Sequence, residues 1–307
     1  MRVLFVSSGN SKNGISPIVD NQKQSLIKKG IDIDTFVING GGIKGYLKSI
    51  FKLRRFIRNN KYDIIHAHYS LSGIVTALSG HKNVIVSLMG SDVKENKKNS
   101  LMKLFSKHFW KGTIVKSERM KLHLGVSKVH IIPNGVDFSR FSDKNHTESL
   151  NKLGWDKSKK HILFPADPKR PEKDFNLAEK VFKNLEYNNC ELHTIVNIPN
   201  QDMPYYYTAA DLVLFTSKRE GSPNVIKEAM ACSCPIITTD VGDVRDTIKN
   251  TNYCYICSRN HYEIRSKVDY IISQKRVRTN GNDNIKHLNE TVIADKIITI
   301  YNSLLQE

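Results

Sequence analysis

The sequence has no apolar run near the roughly 18 residues that a membrane-spanning helix requires, and its opening, Met1-Arg2-Val3-Leu4-Phe5-Val6, is too short an apolar stretch for an export signal. A first β-strand fits that opening. The protein is therefore expected in the cytoplasm or bound peripherally at the inner face of the cell membrane. Cysteines are few and odd in number, five in 307 residues, which argues for reduced thiols and against a disulfide framework. Cys254 and Cys257 form a C-x-x-C with His261 nearby, but no second pair accompanies them. Tyr253 to Ile256 reads as a strand, where residues three apart point to opposite faces, so no metal site is expected. No G-x-G-x-x-G stands at a strand-to-helix turn, which counts against a nicotinamide or flavin dehydrogenase. A D-x-D between strands is also lacking: Asp32 and Asp34 fall inside a predicted strand. With 39% hydrophobic and 25% charged residues, no low-complexity tract and no fixed repeat, the chain reads as folded and globular.

Acidic residues are scarce in one half only. Residues 1–144 carry 25 Lys and Arg against 9 Asp and Glu, a net +16, whereas residues 145–307 carry 22 against 21, a net +1. The basic half should be drawn to an anionic surface such as phospholipid headgroups or a polyanionic acceptor. Nucleic acid is not expected as a partner, because no recognised nucleic-acid motif accompanies the charge.

Short apolar runs alternate with helical patterns along the whole length, which predicts parallel sheets wrapped by helices. Strands are expected at Val3 to Val6, Ile33 to Ile38, Asp63 to His66, Asn83 to Leu88, Thr113 to Val115 and Val129 to Ile132, with helices near 17–29, 44–59, 71–79, 99–109 and 117–124. The rhythm repeats from Ile162 onward. Two Rossmann-like domains follow, 1–142 and 143–290, with a polar linker region at Ser142 to Lys160 and a closing helix within 291–307.

In such folds ligands meet the loops that leave the carboxyl ends of the strands. The strongest candidate follows the segment Asp211 to Ser217, which reads as a buried strand: Glu220-Gly221-Ser222-Pro223-Asn224-Val225-Ile226-Lys227-Glu228-Ala229-Met230-Ala231. Ser222 is suited to the N-cap and Pro223 to the first helical position. Val225, Ile226, Ala229 and Met230 make the apolar stripe, while Asn224 and Glu228 share another face. Backbone amides at this helix start, with Glu220 and Glu228, offer donors for a diphosphate and acceptors for sugar or ribose hydroxyls.

This segment resembles the E-x7-E signature of glycosyltransferase family 4, a retaining group with the GT-B fold, in which two Rossmann-like domains face each other across a cleft. Glu220 and Glu228 match the spacing, and Gly221, Pro223, Asn224, Ala229, Met230, Ala231 and Pro235 match the context. Asp63 to His68 resembles the family's D-I-I-H-x-H strand, Met89-Gly90-Ser91-Asp92 its H-G-S-D turn, and Ile132 to Asp137 its I-P-N-G-V-D. The resemblance implies that Glu228 holds the nucleotide ribose, Glu220 faces the transferred sugar, and amides of Ser222 to Val225 approach the distal phosphate. It also implies that the closing helix returns to the first domain.

Two positions depart from the family. Met89 stands where His is usual, with His66 and His68 as nearby alternatives. Lys173 fits the phosphate-clamp Lys, but Asp167 or Pro168 occupies the place of its Arg, and Lys169 and Arg170 are the candidates to supply that charge. Gly14, in the loop Ser8 to Ile15, could approach donor phosphate or acceptor.

The resulting expectation is a metal-independent retaining transferase without a cofactor, using a nucleoside diphosphate sugar as co-substrate. The sugar would pass to a glycan or lipid-linked glycan, as in cell-surface polysaccharide or glycolipid synthesis. Lys173, Arg170 and Glu220 are its catalytic candidates; Gly14, Lys169, Gly221, Ser222, Pro223, Asn224, Val225 and Glu228 its donor-binding ones; His66, His68, Met89, Gly90, Ser91 and Asp92 its acceptor-side ones. The alternative is a transferase-like subunit that binds nucleotide sugar or glycan without turnover. Residues 46–58 add a basic amphipathic helix, with Lys48, Lys52 and Arg55 flanking an apolar surface, whose contact would be either the sheet or an anionic membrane.

Overall fold

The structure is a computed structural model describing residues 1–9, 14–39, 42–93 and 99–306. Asn10 to Asn13 of the first loop lie outside the described residues. The chain divides into two units, Met1–Gly135 with Glu290–Glu307, and Val136–Asn289.

Unit 1 holds β1 (Arg2–Ser8), β2 (Asp32–Ile38), β3 (Ile64–His68), β4 (Val84–Ser87), β5 (Gly112–Val115) and β6 (His130–Ile131) in the order β2-β1-β3-β4-β5-β6. Every pairing is parallel. Val3, Leu4, Phe5 and Val6 have no exposed surface, the mark of a strand covered on both faces. The first five strands are each followed by a helix, and in two of these the sequence specifies the start. Pro17–Lys28 starts on Ser16, with Pro17 at its first position, and Glu118–Leu124 starts on Ser117 and stops at Gly125 in the left-handed conformation.

Unit 2 repeats the plan. Strands β7 (Lys160–Phe164), β8 (Cys190–Thr194), β9 (Leu212–Phe215), β10 (Ile236–Thr239) and β11 (Cys254–Cys257) lie parallel in the order β11-β10-β9-β7-β8. In both sheets the strand order reverses between the first and third strands, where a crevice opens at their carboxyl ends. For unit 1 this point lies between β1 and β3, and for unit 2 between β7 and β9.

The predicted linker is not one. Residues His146–Leu153 form a helix, capped by Asn145, whose side chain accepts from the Glu148 amide, and closed by left-handed Gly154. Its Ser149 and Leu150 are buried. The chain passes between units at Gly135 and again at Glu290, whereas the sequence reading put the divisions at 142 and 290. A Cβ at Gly135 would sit 2.8 Å from the Glu290 Cα, so glycine is required where the two passages run side by side.

The helix Glu290–Gln306 is part of unit 1. It buries Ile297, Ile300, Tyr301 and Leu304. The Tyr301 hydroxyl lies 2.6 Å from Nδ1 of fully buried His66 on β3, and Lys111 donates to the Leu304 carbonyl at 2.7 Å. Lys28–Glu290 and Lys29–Asp295 pair at its exposed side. Tyr301→Ala should lower unfolding stability by about 3–5 kcal/mol, as for other buried aromatic truncations. Tyr301→Phe, which orphans only the His66 nitrogen, should cost about 1–3 kcal/mol. Urea unfolding of the two variants side by side checks the order.

Candidate active site

The loops at the carboxyl ends of β7 and β9 bring the candidate residues of unit 2 together. After β7 a single 3-10 turn, Pro171–Lys173, places Lys173 so that its side chain is 10% exposed. After β9 the strand ends at Phe215, and Thr216 ties the two segments by donating to the carbonyls of Lys173 and Asp174 at 3.0 and 2.9 Å. The Lys218 amide adds a bond to the Glu172 carbonyl at 2.8 Å. Lys173 Nζ then meets Glu220 Oε1 at 2.5 Å, and Ser217 donates to the same oxygen at 3.0 Å. A cation and a carboxylate are thus fixed at the point where the strand order reverses.

The helix that follows starts at Asn224, not at Pro223 as its sequence suggests. Ser222 does not cap it. Its hydroxyl donates to Asp243 Oδ2 at 2.6 Å and accepts from Lys227, whose ammonium also reaches Asp243 at 3.1 Å. Lys227 has no exposed surface. A buried charge outcompetes a helix amide for a hydroxyl, which is why the cap fails. The buried face comprises Ile226, Lys227, Ala229, Met230 and Ala231, while Val225 is only half-buried. Gly242, at φ +58, brings the loop after β10 so close that a Cβ would sit 2.6 Å from the Gly221 carbonyl oxygen.

Glu228 is partly buried on the second turn of this helix, and the hydroxyl of fully buried Tyr207 donates to its Oε2 at 2.9 Å. Loss of hydration pushes the Glu228 carboxyl up to about 7, against the opposing pull of Tyr207, Arg140 and Lys227. The Tyr207 hydroxyl is raised well above its ordinary range by burial and by the Glu228 charge. Asn224 Oδ1 and Asp243 Oδ1 are buried acceptors with no hydrogen-bond partner among the described residues. Such orphan atoms mark where a ligand donor would be welcome.

Arg170 is engaged by Glu172. It is 55% exposed and bonded through Nε and Nη2 to Glu172 Oε1 at 2.8 and 2.6 Å. Lys169 is exposed as well.

Unit 1 treats its candidates differently. His66 and His68 on β3 are fully buried, so neither presents a surface to an acceptor. His66 lies between Tyr301 and Ser87 Oγ, 2.8 Å from the latter, and His68 stacks on it with ring centroids 4.5 Å apart. Burial and the Lys116 charge hold His68 at about 3 and His66 well below its usual range. Their strand is covered on both faces, which the pattern Asp63-Ile64-Ile65-His66-Ala67-His68 hides by ending in polar residues. In the turn after β4, Asp92 accepts from the Met89 amide at 2.7 Å and, through its other oxygen, from Ser70 amide and hydroxyl at 3.1 and 2.9 Å. Met89 and Gly90 are half-buried and Ser91 is exposed. Gly14 has φ +85, and Tyr69, between β3 and the next helix, has φ +70, strained for a residue with a side chain.

Sequence reasoning missed Tyr207, Lys227, Asp243 and Tyr69. Only Lys227 left a signal, as a lone cation on the buried face of an apolar helix.

Residues 15–117 match the family described as Glycosyl transferase 4-like, and residues 179–288 the family described as Glycosyl transferases group 1. Over 210 residues the chain is 26% identical to the putative teichuronic acid biosynthesis glycosyltransferase TuaC of Bacillus subtilis, covering 59% of this chain and 54% of that protein. Over 249 residues it is 24% identical to a UDP-Gal:alpha-D-GlcNAc-diphosphoundecaprenol alpha-1,3-galactosyltransferase of Escherichia coli, covering 66% and 64%. The chain therefore spans less than two thirds of the length of these relatives. Among solved structures, HepE of Anabaena in complex with UDP superposes with a TM-score of 0.78 at 15% identity, covering 99% of this chain and all of that one. The two parallel sheets give this chain the GT-B fold, and each unit carries one segment that matches a glycosyl transferase family.

Proposed function

We propose that the chain transfers a sugar from a nucleoside diphosphate sugar to a hydroxyl of a glycan or lipid-linked glycan, with retention at the anomeric carbon. The observation that carries this reading is the Lys173–Glu220 pair, 2.5 Å apart where the strand order of unit 2 reverses, with Glu228 on the next helix. Unit 2 would hold the donor. Glu228 accepts from ribose hydroxyls, Glu220 faces the sugar, and the backbone from Gly221 and Ser222 to Val225 approaches the distal phosphate. When the glycosyl–phosphate bond breaks, negative charge gathers on the diphosphate, and Lys173 answers it without needing a metal ion. Proton removal from the acceptor falls to the departing phosphate, so Met89 in place of His is tolerated. Arg170 could swing in only after leaving Glu172, whereas the exposed Lys169 side chain has no such bond to break among the described residues. The UDP complex of HepE and the UDP-Gal donor named for the relative from Escherichia coli favour a uridine donor. The relatives' roles in teichuronic acid and diphosphoundecaprenol chemistry favour an acceptor of bacterial cell-surface glycan synthesis. Nucleotide release from UDP-sugars with such acceptors tests the whole reading; donor binding with no turnover on any of them would favour the binding subunit instead.

Unit 1 would meet an anionic membrane. No helix among the described residues is long and apolar enough to cross one. Unit 1 carries 24 Lys and Arg against 10 Asp and Glu, a net +14. The helix Gly42–Asn59 packs Tyr46, Ile50, Leu53, Phe56 and Ile57 on the core, yet leaves Leu47 and Phe51 exposed, Phe51 by 71%, beside exposed Lys48, Lys52 and Arg55. One helix thus serves both contacts, and the two apolar residues off the core are those a bilayer could take.

Glu228→Gln should weaken UDP binding by about 1–3 kcal/mol in calorimetry, as the loss of a charged acceptor does. The same substitution reads the raised carboxyl. With about 4.5 as the ordinary value and about 7 when folded, the folded chain binds more protons between those values. Stability should therefore fall as pH rises from about 4.5 through about 7, by on the order of 3 kcal/mol. Denaturant curves of wild type and variant at the two ends should differ by that slope.

Lys173→Ala should lower kcat by at least about a hundredfold, the scale of removing one charge-stabilising donor, while affinity for a neutral sugar fragment stays the same. Steady-state kinetics with intact fold checks it, and unimpaired turnover removes Lys173 from the mechanism.

Sedimentation with anionic but not zwitterionic vesicles is expected at low salt, weakened by Glu at Lys48, Lys52 and Arg55 and by Phe51→Ser. Equal partitioning to both vesicle types defeats the membrane reading.

A further inference from the structure

At the opposite end of unit 2's sheet from Lys173, three side chains with metal-ligating atoms converge. His161 is the second residue of β7, and Glu191 and His193 are the second and fourth of β8. Parallel pairing sets His161 beside Glu191 and Leu163 beside His193. The period of two in a strand then turns Glu191 and His193 to one face. One ligand atom from each of the three lies within 4.8 Å of the others. We propose that His161, Glu191 and His193 form a binding site for a divalent transition-metal ion of the zinc class, separate from the reacting groups.

The hydrogen bonds around the cluster arrange its lone pairs. His161 Nε2 lies 2.9 Å from the Asp156 carbonyl oxygen, which can only accept, so Nε2 carries the proton and Nδ1 keeps its lone pair. That bond from the far nitrogen to a backbone carbonyl is the outer contact that fixes a ligating histidine. Nδ1 faces His193 Nε2 at 2.9 Å. Without an ion His193 donates that proton; with one, its proton moves to Nδ1 and Nε2 turns a lone pair to the metal. Glu191 is divided in the same way. Lys159 holds Oε1 at 2.6 Å, while Oε2 lies 3.6 Å from His193 Nε2 and 3.9 Å from His161 Nδ1. Zinc at about 2.0–2.1 Å from each nitrogen needs the two nitrogens roughly 3.3 Å apart, so a shift of a few tenths of an ångström suffices.

The cluster is both braced and open. Trp155 stacks on His193, centroids 3.7 Å apart and planes at 11°. The His161 side chain is 1% exposed, but His193 and Glu191 are 19% and 34% exposed, which admits an ion from solvent and leaves a fourth position for water. Because β8 is the edge strand of the sheet, an ion here would clamp it to β7 and to the turn carrying Trp155.

The test uses the full chain stripped with chelator, then titrated with zinc chloride by calorimetry and with cobalt chloride by visible absorption. One equivalent should bind with micromolar or tighter affinity, giving a tetrahedral cobalt spectrum without thiolate bands and raising the Tm. His193→Gln and Glu191→Gln, both at partly exposed positions, should each weaken zinc binding at least tenfold with an unchanged circular dichroism spectrum. Cys254→Ser with Cys257→Ser should leave it intact. Absence of binding at about 100 µM metal, or binding that survives His193→Gln, overturns the proposal. Neither result bears on sugar transfer, because the readouts involve no nucleotide.

Discussion

Lys227 sits wholly inside unit 2, yet it carries a charge, and the shape of the candidate site depends on how that charge is met. Asp243 and Ser222 are its partners. Removing one member of a buried pair leaves the other uncompensated, at a cost of about 3–5 kcal/mol. The pair therefore acts as a constraint on geometry more than as a source of stability. It joins the helix Asn224–Ala231 to the loop after β10, and that loop approaches Gly221 so closely that only Gly242 fits. The backbone from Gly221 to Asn224 is set from below by an ion pair and from the side by main-chain contact. Amides held this way need no reorganisation when charge develops near them.

Both sheets are parallel and their central strands are covered on two faces, so on those strands polar chemistry collects at the ends. Unit 2 uses its carboxyl ends for the lysine and glutamates. Unit 1 instead buries two histidines within a strand, where their rings stack and Tyr301 and Ser87 satisfy His66. The same residue type thus serves structure in one place and remains available at a sheet edge in another, depending on the layer that covers the strand.

Much of this was legible in the sequence. Strand positions in unit 1 were found within a residue or two, because apolar runs bounded by Gly, Asn and Lys leave few alternatives. Glu220 and Glu228 were singled out from spacing and context and Lys173 from the family resemblance, and the fold brings Glu220 and Lys173 into contact. What was not legible depends on which partner each side chain meets in the fold. Ser222 looked like a helix cap because local rules favour it, but Asp243, twenty-one residues on, claims its hydroxyl. Arg170 looked like a phosphate ligand, but Glu172 two residues away holds it. His66 and His68 looked like strand-end groups because a one-dimensional pattern does not show what packs over them. The linker reading failed for a local reason: Asn145 and Gly154, the start and stop of a helix, were outweighed by the polar stretch between them.

The side-by-side passages at Gly135 and Glu290 have a consequence for how the chain is made. Unit 2 is a continuous segment, 136–289, set into an interrupted unit 1. A ribosome delivers all of unit 2 before it delivers Tyr301, so the segment that begins second is the first to be complete. Until the closing helix emerges, the His66 ring lacks its tyrosine and the flank that buries Ile297 and Leu304 stands open. The first 135 residues must wait, partly covered, for the last eighteen, which makes the basic unit the one most in need of protection from aggregation during synthesis.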